Sequence, residues 1–458
     1  MKCKKNQDRT LLIKAHEHAN GISVHVKNRE FKIEYPKGIW QKTPKSIRRV
    51  LLENITFANT HFLPLILKKD RIRYDTPFPL FESYLFKNHM CDLIDTERVD
   101  KAPFLSYIQK LYNLDFEFSR GESSIPDSRE IPRFKTSPPT AIIPFTFGKE
   151  SLLSFALARE LGIKPILVYF QDPVEKYEEA YKLKKIEEFK KQHKVDIYFV
   201  KNDPGLFKCG IAFGTPKTDL GWGVQITLLT LLSIPFVYAH QANYILYGSE
   251  YANNEFEYVN GWKLFHSYDQ TTVWTKHKNN MVRLLTNNQC QVKTTLEMNE
   301  EINIFYTLHH RYPEIGKDQF TCRAEKPLYE GSQWCHKCYK CARIFLFAKA
   351  CGIDPYTLGF KKDIFKKAMY RDYFDKNLES GSSQELDFAF YAAYKRGIKH
   401  PLITLFKKEK LPHLKPWKWF RNHYSSLRPE ENLPEAYREK IQTIFLEELK
   451  QFKKTLPK

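Results

Sequence analysis

Ala141-Ile142-Ile143-Pro144-Phe145-Thr146-Phe147-Gly148-Lys149-Glu150-Ser151 is the stretch on which the fold of this chain turns. Its first five residues make a short apolar run. A Gly-containing turn follows, then a helical pattern from Glu150 to Leu161, which Gly162 closes as a left-handed cap. The same rhythm repeats downstream. Pro165 to Phe170 predicts a second strand, Val174 to His193 a charged helix, and Val195 to Val200 a third strand. Val224 to Tyr238 predicts a buried helix and Asn243 to Tyr247 a fourth strand. Strands alternating with helices imply an α/β fold with a doubly wound parallel sheet. Ligands of such sheets bind beyond the carboxyl ends of the strands.

The turn after the first strand sits where an anion is best held. A helix N-terminus carries unsatisfied N–H groups and a partial positive charge, so it accepts phosphate. Gly148 lets backbone approach a ligand, Lys149 adds charge, and Thr146 and Ser151 offer hydroxyls. The loop is not a Walker A sequence, which needs G-x-x-x-x-G-K-[ST]. An ordinary strand-to-helix turn with Glu150 in the first helical turn accounts for the same residues.

A second signal lies further on. Cys322 is followed by Cys335-His336-Lys337-Cys338-Tyr339-Lys340-Cys341, a C-x12-C-x2-C-x2-C spacing. Four thiolates close a tetrahedral zinc site, and the two short steps aim three sulfurs at one ion. Iron–sulfur ligation is the rival. With nine cysteines and no visible secretory signal after Met1-Lys2-Cys3-Lys4-Lys5-Asn6, the expectation is a reducing, cytoplasmic compartment and metal rather than disulfides.

The chain has 458 residues, enough for two to four domains at roughly 100–200 residues each. Apolar residues make up 42% and charged residues 28%, which excludes a disordered chain. Lys and Arg number 73 against 53 acids, a net charge of +20 that suits an anionic partner. Gly221 to Ser249 carries no formal charge, but its polar residues argue against a membrane span. Three regions are expected. Residues 1–135 form an N-terminal α+β domain with a turn at Asn20-Gly21, a strand at Ile22 to Val26 and a helix at Ser46 to Ala58. Residues 136–358 form the α/β domain with the four-cysteine site. Residues 359–458 form a basic, mostly helical region that includes the aromatic patch Lys415 to Arg421. Gly121 to Ser128 and Thr136-Ser137-Pro138-Pro139 read as linker.

The loop at Thr146 to Ser151 resembles the S-G-G-x-D-S signature of the PP-loop ATP pyrophosphatases, with a PP-loop/HUP-like fold implied. Phe147 stands where that signature has a Gly, and Glu150 where it has Asp. With the cysteine group and Arg343 after it, the chain resembles the 7-cyano-7-deazaguanine synthases. It also resembles the ATP-dependent UDP-N-acetylmuramoyl-L-alanyl-L-glutamate epimerases in four places. These are Gly148 to Leu152, Gly248-Ser249-Glu250-Tyr251-Ala252-Asn253, Val273-Trp274-Thr275-Lys276 and Trp334 to Cys341.

The resemblance implies ATP bound by Thr146, Phe147, Gly148, Lys149, Glu150 and Ser151, with Mg²⁺, and catalytic roles for Lys149, Ser151, Glu250 and Lys276. It implies adenylation of a carboxylate on an anionic, nucleotide-linked small molecule, with Zn²⁺ as the structural metal at Cys322, Cys335, Cys338 and Cys341. In the epimerase reading, masking the carboxylate of the terminal Glu as an acyl-adenylate lets its α-proton leave. Three alternatives stay open. One is a cyano-deazaguanine synthase-like ligase. Another is a tRNA-modifying enzyme, for which the Lys415 to Arg421 patch would supply phosphate contacts and stacking, though nucleic acid is not the favoured partner. The last is a non-catalytic binding module, suggested by Phe147.

Overall fold

A computed structural model of the chain describes residues 9–92, 96, 100–135, 137–324, 326, 328, 332–375 and 381–458. The Met1 to Asn6 run and Thr136 of the linker lie outside the described residues. The strands are β1 (Thr10–His18), β2 (Gly21–Val26), β3 (Arg29–Glu34), β4 (Arg71–Tyr74), β5 (Asp115–Glu117), β6 (Thr140–Pro144), β7 (Lys164–Phe170), β8 (Ile197–Asn202), β9 (Tyr244–Tyr247), β10 (Phe256–Val259), β11 (Trp262–Phe265) and β12 (Gln291–Thr294). Ten of them form one mostly parallel sheet in the order β12-β9-β6-β7-β8-β3-β2-β1-β4-β5; β10 and β11 pair separately as a hairpin.

Within the sheet, β12-β9-β6-β7-β8 is wholly parallel and is wound outward from β6 in both directions. Side chains explain why. Successive residues of β6 and β7 feed opposite cores: Ala141, Ile143, Leu167 and Tyr169 on one face, Ile142, Ile166, Val168 and Phe170 on the other. Strands buried on both faces read as continuous apolar runs and need helices on both sides. Lys149–Glu160, Lys176–His193 and Glu301–Arg311 cover the first face; Gln225–His240 and Thr272–Leu285 cover the second. The α/β expectation and its first four strands hold within a residue or two. Gly162 adopts φ +75° just after the first helix, as a left-handed cap requires.

The N-terminal region extends the same sheet. β3 joins β8 antiparallel through Ile33 opposite Asn202 and Glu34 opposite Lys201. The boundary drawn at 135 falls in residues 118–139, which hold no helix or strand among those described, yet the sheet itself crosses it. The hairpin turn is Ala19-Asn20 rather than Asn20-Gly21; Gly21 already pairs with His18 in β2. A Cβ at Gly21 would lie 2.0 Å from the Ile33 carbonyl oxygen, so the close approach of β3 is what demands glycine.

The longest apolar helical run, Lys45–Leu67, meets the length for a membrane span, but 83% of its apolar window is buried in the fold. Gln225–His240 has only 16 residues.

The C-terminal region is helical as expected, and it is core rather than appendage. Gly381–Lys395 packs on Tyr339–Cys351, and one apolar cluster runs from Ala141 to Leu456. Trp417 stacks on Phe388 at 5.8 Å and its Nε1–H donates to the Pro457 carbonyl at 3.0 Å. Phe420 is buried and Trp419 stacks on His423. Residues 428–432 then cross back over the sheet. The Arg428 N–H donates to the Met298 carbonyl and the Thr294 N–H of β12 to the Asn432 carbonyl, at 2.9 and 3.1 Å. Glu297 accepts from the Asn432 N–H at 2.8 Å.

The aromatic patch therefore acts through burial. Trp417→Ala is expected to lower the unfolding free energy by about 3–5 kcal/mol, the range for a buried aromatic truncated to Ala. Lys418→Ala, on an exposed position, is expected to stay within about 0.5 kcal/mol. Denaturant midpoints of the two variants check this, and a near-neutral Trp417→Ala would return the patch to the surface role.

Candidate active site and metal centre

The loop between β6 and its helix lies where the winding of the sheet reverses, between β6 and β9. Gly148 is the N-cap of Lys149–Glu160. The Ser151 hydroxyl ties the loop together, accepting from the Thr146 N–H at 3.2 Å and donating to the Gly148 carbonyl at 3.1 Å. The loop after β9 packs directly upon it: a Cβ at Gly248 would lie 2.6 Å from the Glu150 Cβ. Only glycine allows the two loops this contact.

Phe147 holds φ +59°, a conformation natural to glycine and uncommon for other residues. Its ring is fully buried, packed edge-on against Phe145 at 4.7 Å and Phe189 at 5.5 Å. The backbone therefore keeps the glycine-like turn while the side chain leaves through the core. The Phe147 carbonyl accepts from the Phe320 N–H at 2.8 Å, which draws the segment before Cys322 alongside the loop.

Behind the loop lies a buried charge cluster. Lys149 Nζ pairs with Glu150 and with Glu301, the latter at 2.8 Å. The other oxygen of Glu301 pairs with Arg343. Glu250 lies half-buried beside them, and its enclosed Oε2 has no hydrogen-bond partner among the described residues. Glu385, from the C-terminal region, accepts from the Ile302 N–H at 2.7 Å and adds a fourth carboxyl. Burial would strip Lys149 of its proton, but Glu150, Glu301 and Glu250 outweigh it and raise its pKa. Burial pushes Glu301 up, but Arg343 and Lys149 prevail and hold it at about 2. Glu250 goes the other way, pushed up to about 8 by burial, with Glu301 and Glu150 adding to it against Lys149 and Arg343.

A cavity of about 260 Å³ opens at the carboxyl ends of β6, β7 and β8. Thr146, Gly148 and Glu150 line it, with Thr321 against Gly148, and so do Tyr169 to Asp172, Asn202, Trp222, Arg323 and Lys340. Asp172 pairs with Lys208 at 2.7 Å, and Lys208 lies 3.7 Å from the centre of the Trp222 ring.

The structure thus brings together Thr146, Gly148, Lys149, Glu150, Ser151 and Glu250. Lys149 points into the charge cluster and not into the cavity lining. Lys276 stands apart, half exposed and paired with Glu431. Trp274 is buried, with Nε1–H donating to the Thr227 hydroxyl at 2.7 Å, which is a packing role. Sequence reasoning missed Glu301, Glu385, Trp222 and Arg323. Glu301 carried one signal, an acid in the first turn of a helix, but that signal reads as a dipole partner.

The four cysteines converge. Cys338 Sγ lies 3.4 Å from Cys341 and 4.0 Å from Cys322, and Cys335 lies 3.8 Å from Cys341. Four sulfurs about 2.3 Å from one zinc stand about 3.8 Å from each other. Backbone N–H groups of Cys335, Cys338 and Cys341 point at the preceding sulfurs, at 3.3 to 3.5 Å. His336 takes φ +56° to make the knuckle between Cys335 and Cys338. The set can hold a metal ion such as zinc.

No protein-family model matches the chain, and no curated protein matches its sequence.

Two outcomes follow from these groups. Purified chain is expected to carry one zinc by elemental analysis, and Cys338→Ser to lose it; an iron–sulfur absorbance would overturn the zinc assignment. Glu250 bears on pH. Its folded pKa of about 8 exceeds the unfolded value of 4.5, so the stability it contributes is complete below pH 4.5 and is lost as pH rises through 8. Glu250→Gln removes this dependence. The wild type is therefore expected to lose stability relative to Glu250→Gln between pH 5 and 8, read by denaturation at each pH.

Proposed function

We propose that the chain is a PP-loop ATP pyrophosphatase that adenylates a substrate carboxylate and releases pyrophosphate. The observation that carries this reading is the Gly148 loop, closed against Gly248 at the reversal point of a sheet wound outward from β6, with the cavity beside it. The outward course of Phe147 supports it, since the residue replacing a signature glycine leaves the loop unobstructed. In this reading the helix N-terminus and the loop N–H groups hold the phosphates of ATP. The substrate carboxylate oxygen bonds to the α-phosphorus as the bond to pyrophosphate breaks. Lys149 neutralises Glu150 and Glu301 beside the loop, so that an anionic ligand can approach. The cluster's carboxyls outnumber its cations, a donor set that suits a hard cation. Glu150, the one that faces the cavity, would hold Mg²⁺ with Glu250 behind it, and the ion would neutralise phosphate charge.

The acceptor proposed is UDP-N-acetylmuramoyl-L-alanyl-L-glutamate, on the joint likeness at Gly148 to Leu152, Gly248 to Asn253 and Trp334 to Cys341. The acyl-adenylate removes the negative charge beside the α-carbon, so the α-proton can leave and return on the other face. Hydrolysis then yields AMP.

The expected products from ATP are AMP and pyrophosphate; ADP and phosphate alone would overturn the reading. Lys149→Ala is expected to slow the reaction and to destabilise the fold by about 3–5 kcal/mol, since Glu150 and Glu301 lose their buried counter-charge beside the anion site. In heavy water the product glutamate is expected to carry deuterium at its α-carbon and the D configuration, by mass spectrometry and chiral analysis. AMP formation without deuterium would sink the epimerase and favour a ligase of the cyano-deazaguanine type.

A further inference from the structure

One wall of the cavity, which meets the Gly148 loop at Thr321, carries donors that have no acceptor among the described residues. Arg323 pairs with no carboxylate among the described residues; its guanidinium lies between two rings, 5.8 Å from the centre of Trp222 and 5.7 Å from that of Tyr339. Trp222 Nε1 and Thr321 Oγ1 are both buried without a hydrogen-bond partner. Lys340 lines the same wall. A buried donor without an acceptor costs about 1–3 kcal/mol, so two groups in this state beside an unpaired guanidinium call for a ligand that accepts hydrogen bonds. The lining also carries Asp172, Glu175, Glu178 and Glu179, of which Asp172 is neutralised by Lys208 and Glu178 by Lys182.

The wall is also held in place. Arg323 follows Cys322 directly, and Lys340 precedes Cys341. Tyr339 and Lys340 open the helix Tyr339–Cys351, which Cys338 caps by accepting from the Cys341 N–H. Ring contacts on either side keep the Arg323 fork in one plane, which suits two-point recognition of a carboxylate.

We propose that Arg323, with Trp222, Thr321 and Lys340, forms an oxyanion subsite that grips a carboxylate of the acceptor while the Gly148 loop grips the nucleotide. The inference rests on the adenylation reading for its acceptor, but not for its chemistry. A carboxylate and a phosphate share that chemistry, so the rival occupant is the phosphate chain of ATP.

The test is titration calorimetry on the full zinc-loaded chain with two probes, glutarate and α,β-methylene-ATP. Wild type is expected to bind both together. Arg323→Gln is expected to weaken glutarate roughly tenfold to a hundredfold, the size of one charge-assisted pair, and to leave the nucleotide analogue unchanged. Arg323→Lys is expected to recover only part of the loss. Lys340→Gln, at a half-buried position of the wall, is expected to act in the same direction. Unchanged zinc content and circular dichroism keep folding out of the comparison. A variant that weakens the analogue but not glutarate gives the subsite to ATP and overturns the proposal. So does a variant that changes neither, or a wild type that does not bind glutarate. Failure of the ATP reading shows separately, as no binding of the analogue by wild type.

Discussion

The carboxylate of Glu301 serves two cations at once, the buried Lys149 on one oxygen and the half-buried Arg343 on the other. That shared ion pair is the constraint from which the site follows. Lys149 comes from the loop after β6, Glu301 from the helix after β12, and Arg343 from the helix after the cysteine knuckle. Removing one partner of a buried pair costs about 3–5 kcal/mol, because the other charge is left without compensation. Three distant segments must therefore arrive together or not at all. Glu385 brings in a fourth, since it caps the helix that Glu301 begins. The metal knuckle, the loop and the C-terminal helices are in this sense one unit, whatever the linear order suggests.

The same logic explains Phe147. A left-handed turn at a non-glycine residue costs on the order of 1–3 kcal/mol and persists only where its surroundings insist on it. Here the surroundings are the rings of Phe145 and Phe189, which take up the side chain, and Phe320, whose N–H takes the carbonyl. Core packing supplies what a glycine would have supplied by having no side chain.

Much of the α/β half was legible in sequence because its strands are buried on both faces and so are nearly unbroken apolar runs. Ile142-Ile143 and Ile166-Leu167-Val168 could belong to little else. The knuckle was legible because thiolate spacing has few other uses. β12 was not legible: three of the four residues of Gln291-Val292-Lys293-Thr294 are polar, and its place is set by pairing with β9, forty-odd residues earlier. The continuity of the sheet across β3 and β8 was hidden for the same reason, since two residue pairs far apart in sequence make the join. Trp417 and Phe420 show a different limit. Aromatic residues among lysines look alike whether they wait for a nucleobase or for Phe388, and only the partner distinguishes them. In the site, the charge of Arg323 was countable, but its lack of a carboxylate partner among the described residues is a property of three-dimensional neighbours.

A sheet with ten strands has two ends, and each end is a row of backbone groups that invites another chain to add on. β5 keeps its end short, three residues long. β12 is guarded differently: the returning segment places the Asn432 carbonyl on the Thr294 N–H and anchors Asn432 through Glu297. The returning segment at residues 428–432 thus acts as a seal on the β12 end of the sheet. A chain nicked by a protease ahead of Asn432 would lose more than a helix. It would expose an open, pairable strand at the end of the sheet, and the expected fate of such a fragment is self-association into aggregates.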